Sequence, residues 1–71
     1  MNIGQRIAQA RGFNRLTQGQ LADALSVTVQ TVSNWERGRR MPDADSIRQL
    51  CVIMHISADW LLGLSDEAGL K

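Results

Sequence analysis

Seventy-one residues allow one domain with one core, and leave no room for an active-site cleft between domains. Three aromatic residues, Phe13, Trp35 and Trp60, and a single proline argue against a β-sandwich, which needs alternating β-branched and aromatic strands, and favour an all-α bundle. The formal net charge of +1 is unevenly spread: residues 1–40 carry six arginines against Asp23 and Glu36, a balance of +4, whereas residues 41–71 carry Arg48 and Lys71 against five acids, a balance of −3. A basic half of this kind attracts phosphate while the acidic half faces away, although chance clustering on a mixed surface has the same composition.

Cys51 is the only cysteine, so no internal disulfide can form; it sits in an apolar run, as a small buried side chain does. A cytoplasmic, reducing location is the expectation. No apolar stretch approaches the roughly 18 residues that span a bilayer, and the N-terminus lacks a signal-peptide pattern, so the reading is of a soluble protein.

Residues 2–14 read as an opening helix, with Ile3, Ile7 and Ala10 or Arg11 near a spacing of four and Gln5, Arg6 and Gln9 outside. Gly12 and Asn14 predict its end before Thr17. Phe13 and Leu16 flank that stop and are expected to seal the helix onto the next one.

The 22 residues Thr17–Gly38 then read as two short helices joined by a tight turn, and the rest of the chain is organised around them. Thr17 with Gln20 three residues later has the form of a capping box, and Leu21, Ala22 and Leu25 share one side that must be buried. Thr28 is the expected N-cap of the second helix, residues 28–37. In it Val32 and Trp35 point inward, while Val29, Gln30, Ser33, Asn34 and Arg37 form an outer stripe. A carboxamide can donate to and accept from the adenine edge in the major groove, and valine can meet a thymine methyl. Amides on an outer helix face are equally common as solvated residues.

A loop follows, in which Gly38 stops the helix and Pro42 prevents its continuation. Arg37, Arg39 and Arg40 could clamp a nucleic-acid backbone there, or be solvated. Asp43 is the expected cap of a fourth helix with Ile47, Leu50, Cys51 and Met54 at helical spacing and Asp45 in its first turn. His55 ends that run and, without a Cys or His partner at ligand spacing, reads as a helix-end residue, not a metal ligand. Ser57 caps a last short helix with Trp60 and Leu61 inward and Gly63 closing it. Residues 1–64 thus make the domain, and 65–71 a tail or the start of a linker.

Enzymatic chemistry has little to work with. There is one His and one Cys, the acids are scattered, and neither a glycine-rich phosphate loop nor metal-ligand spacing occurs, so no catalytic residue, metal or cofactor is assigned.

The run LTQGQLADALSVTVQTVSNWERG followed by RRMPDADSIRQLCVIMHISADWLLGL resembles the lambda-repressor-like helix-turn-helix family of phage repressors and related bacterial regulators, from Ile3 to Leu64. The resemblance rests on L-T-Q at Leu16–Gln18, L-A at Leu21–Ala22, W-E-R-G at Trp35–Gly38, the lone Pro42 and D-W-L-L-G at Asp59–Gly63. It implies a compact five-helix domain binding operator DNA as a homodimer, a transcriptional repressor or regulator of the bacterial or phage-infected cell. The third helix would enter the major groove. On that pattern Val29, Gln30 and Asn34 face base edges, Thr28 and Ser33 touch bases or phosphates, and Gln18, Arg37, Arg39 and Arg40 meet the backbone. Arg11 and Glu36 match a structural ion pair. Relatives commonly have glycine where this chain has Ser26 and His55, which implies either a wider turn or a strained residue. The alternative is an antitoxin-type interaction module whose main partner is a protein, which a large exposed apolar patch on the last two helices would favour. A longer regulator with a further C-terminal dimerisation or effector domain is also compatible with the tail.

Overall fold

The computed structural model describes residues 2–67, which form five α-helices: α1 (Ile3–Phe13), α2 (Gln18–Leu25), α3 (Val29–Glu36), α4 (Ala44–Met54) and α5 (Ala58–Leu61). The all-α class and the five-helix order agree with the sequence reading. Residues 68–71 of the expected tail lie outside the described residues.

Every helix starts on a side chain that accepts the backbone N–H three positions on: Asn2 from Gln5, Thr17 from Gln20, Thr28 from Thr31, Asp43 from Ser46 and Ser57 from Trp60. Each such cap satisfies a donor with no partner inside the helix, and is worth about 1 kcal/mol. Asn2 and Thr17 form full capping boxes, with Gln5 and Gln20 reaching back to the cap N–H.

The helices also share one way of ending. Arg15, Ser26, Gly38, His55 and Gly63 all have positive φ, between 55° and 82°. The amide after each one bonds back across the last turn: Leu16 to Arg11, Val27 to Ala22, Arg39 to Asn34, Ile56 to Cys51 and Leu64 to Asp59. At Ser26 and His55 the chain thus takes the strained route, and the turns are not widened. Arg15 does the same after α1, which ends before Thr17 as expected, with Asn14 as its C-cap. Each non-glycine residue held there costs about 1–2 kcal/mol.

Ile7, Ala10, Leu21, Ala22, Leu25, Val32, Trp35, Leu50, Met54, Ile56, Trp60 and Leu61 are buried together. Leu16 packs against this cluster, whereas Phe13 is 53% exposed and does not make the expected seal. Asn14 ties the end of α1 to α4, its amide donating to Ala10 O and across to Met54 O. Cys51 is half-buried, and burial pushes its thiol up in pKa, so it stays protonated at neutral pH.

Two residues of α1 set the frame in ways the spacing of apolar residues did not reveal. Gly4 is buried, and a Cβ there would lie 2.3 Å from Trp35 O and 2.8 Å from Glu36 O, so α1 and the end of α3 meet backbone to backbone. Arg6 points at α5: Nη1 donates to Trp60 O (2.6 Å) and Ser65 O (3.4 Å), and its guanidinium lies 5.0 Å from the Trp60 ring centre. Ser57 Oγ donates to Glu67 O at 3.4 Å, so contacts with the domain continue past Leu64.

Candidate nucleic-acid interface

Helix α3 packs against both α1 and α2, which leaves one sector of its surface open. Val32 is fully buried and Trp35 is 5% exposed, whereas Val29 is 50% exposed and Gln30 and Arg37 are open to solvent. Asn34 is half-buried at the edge of the sector. Ser33 is a correction to the predicted stripe: it is 9% exposed, because a helix gripped on two sides has a narrower free face than spacing alone implies. Thr28 is exposed, with its hydroxyl engaged in the cap and 2.9 Å from the Thr31 hydroxyl.

Gln30 and Asn34 are joined, Gln30 Nε2 donating to Asn34 Oδ1 over 3.0 Å. The start of α2 sits beside the start of α3: a methyl group on Gly19 would come 3.9 Å from Val29 Cγ2.

At the other end of α3, Glu36 ties three helices together. Its carboxylate accepts from Arg11 Nε (2.8 Å) and Nη2 (3.1 Å) of α1 and from Gln18 Nε2 (3.0 Å) of α2. The hydrogen bond to Glu36, opposed by burial and aided by charge attraction, raises the pKa of Arg11, which therefore stays charged. Arg11 Nη1 also holds Leu16 O. The pair that the resemblance implied is present, and Gln18 belongs to it, with its carbonyl oxygen and second N–H left over.

The basic half divides by role. Arg6 and Arg11 are committed inside the domain, while Arg15, Arg37, Arg39 and Arg40 are exposed. Arg37 follows α3 directly, and Arg39 and Arg40 both direct their backbone N–H to Asn34 O, which brings the arginine loop back to the amide-bearing face. Arg40 lines a cleft of about 510 Å³ with Thr31, Asn34, Asp43 and Ser46. Asp43, from the acidic half, therefore stands beside α3 and does not face away from it; its carboxylate is held by the Ser46 N–H. Thr31 is a lining residue that the sequence reading passed over.

Two capped helices joined by a left-handed residue, with one exposed polar face on the second, define a helix-turn-helix. The chain belongs to the helix-turn-helix family, whose model matches residues 7–61. It is 37% identical over 71 residues to the HTH-type transcriptional regulator ImmR of Bacillus subtilis (strain 168), covering all of this chain and 55% of that protein. The chain thus spans about half the length of this relative. Among solved structures it is similar to the P22 c2 repressor protein in complex with synthetic operator 9T, with a TM-score of 0.85 and 26% identity over 92% of this chain and 98% of that one. It also resembles SinR, the master regulator for biofilm formation, in complex with DNA, with a TM-score of 0.77 and 27% identity over 83% of this chain and 95% of that one.

Proposed function

We propose that this chain is the DNA-binding domain of a transcriptional repressor, cytoplasmic and acting without a cofactor, that inserts α3 into the major groove of operator half-sites as a homodimer. The observation that carries the reading is the pairing of an exposed amide-and-valine face on α3 with an arginine loop that hydrogen-bonds back to Asn34. Val29, Gln30, Asn34 and Thr28 then meet base edges, and Arg37, Arg39, Arg40 and the free N–H of Gln18 meet phosphates. Ser33 is left out of that set because it is buried. The likeness to a repressor held on its operator supports the same placement. Binding to genomic fragments titrated with salt, with molecular mass measured free and bound, tests it: selective binding with two chains per site is expected, and equal affinity for all fragments overturns it.

A second reading has its own observation. Val52, Leu62 and Leu64, on and after the last two helices, are 66%, 42% and 75% exposed. Such apolar exposure suits an antitoxin-type module with a protein partner. A mass of one chain per DNA site, with a protein complex that leaves the arginines free, would favour it.

A further inference from the structure

The hydrogen bond from Gln30 Nε2 to Asn34 Oδ1 divides the chemistry of the two amides unequally. Gln30 keeps its carbonyl oxygen and one N–H, so it still offers an acceptor beside a donor. Asn34 has turned its oxygen toward Gln30; that oxygen keeps a second lone pair, but the side of the amide away from Gln30 presents only the two N–H groups of Nδ2. An acceptor beside a donor matches adenine, which shows N7 and the N6 amino group in the major groove; a group with donors only matches guanine, which shows N7 and O6. Thymine O4 supplies only one acceptor. Four residues of helix advance about 6 Å and base pairs are stacked about 3.4 Å apart, so the two side chains reach nearby base pairs and not the same one.

The backbone oxygen of Asn34 is also engaged, by the amides of Arg39 and Arg40 at 2.9 and 3.3 Å. The arginine loop therefore holds in place the residue from which the donors project. We propose that Gln30 and Asn34 read DNA as one unit, in which Gln30 specifies adenine and Asn34, its oxygen committed to Gln30, specifies guanine at a nearby pair. This rests on the placement of α3 in the major groove given above, and replaces the expectation of two independent adenine readers.

The test is selection of sites from a randomised duplex library by the 71-residue chain and by Gln30→Ala, Asn34→Ala, the double alanine variant and Asn34→Asp. A cooperative thermal unfolding transition in all five proteins, with helical circular dichroism matching the wild type, verifies that the variants are folded. The wild-type chain should select adenine and guanine near one another, each preferred by about 5- to 150-fold over the wrong base. Either alanine variant should weaken preference at both bases, and the double variant should lose less than the product of the two single losses. Asn34→Asp keeps an oxygen for Gln30 but presents a second acceptor where the donors were, so guanine should give way to cytosine, whose N4 amino group donates, while adenine is retained. Adenine chosen at both positions, independent losses, or an unchanged guanine preference in Asn34→Asp overturns the paired reading and leaves major-groove binding standing. A wild-type chain without any preference overturns both.

Discussion

Arg11 holds Glu36 by two hydrogen bonds, 2.8 and 3.1 Å long, and so fastens the last residue of α3 to α1. The side chains are 24% and 9% exposed, so the carboxylate lies inside the surface and the guanidinium at its edge. Removing one partner from such a pair leaves the other charged and poorly solvated. Arg11→Met should lower unfolding stability by about 1–3 kcal/mol, read as a fall in urea midpoint, and Arg11→Met with Glu36→Leu should recover much of it. A loss below about 1 kcal/mol would rank the pair with ordinary surface contacts.

Gly4 gives a second prediction. A methyl group there collides with the carbonyls of Trp35 and Glu36, atoms that cannot rotate away. Gly4→Ala should therefore destabilise by about 1–3 kcal/mol, although alanine is the better helix former by about 1 kcal/mol. An unchanged or raised melting temperature would show that α1 and α3 are free to separate.

The left-handed residues predict gains. Ser26→Gly and His55→Gly remove strain of about 1–2 kcal/mol each and add about 0.5–1 kcal/mol of unfolded-state freedom, for a net stabilisation of roughly 0.5–1 kcal/mol. In a domain this small that raises the melting temperature by a few degrees. A fall in either variant would mean that the native side chain makes compensating contacts.

Two kinds of arginine should separate in binding experiments. Arg39→Ala and Arg40→Ala should weaken all DNA sequences alike, each reducing the slope of log affinity against log salt by about one. Arg6→Ala should leave that slope unchanged and instead lower stability, because its guanidinium serves Trp60 O and the Trp60 ring. A changed slope in Arg6→Ala, or unchanged slopes in both loop variants, would reverse these roles.

What could be read from the chain alone was what depends on neighbours in sequence. Thr17, Thr28, Asp43 and Ser57 act within one turn, and the apolar spacing of α2 and α4 repeats along a single helix, so their order was visible. Burial of Ser33 requires knowing that α3 is held on two sides, and the turn after α1 is made by Arg15, a residue type with no left-handed signature. Gly4 and Arg6 act on partners 31 or more positions away, where no local pattern points. For the candidate interface, the residue types on α3 and the one-turn spacing of Gln30 and Asn34 were legible, whereas the tie from Gln18 to Glu36 joins two helices and follows only from how α2 and α3 pack.

The seat of α3 against Gly4 is made of main-chain atoms on one side and a residue without a side chain on the other. No side chain of the outward face takes part in it. Positions 29, 30 and 34 can therefore be rewritten as a set without disturbing the mount that aims them, and a lineage, or an engineer, can change what the domain reads while keeping how it stands on its target.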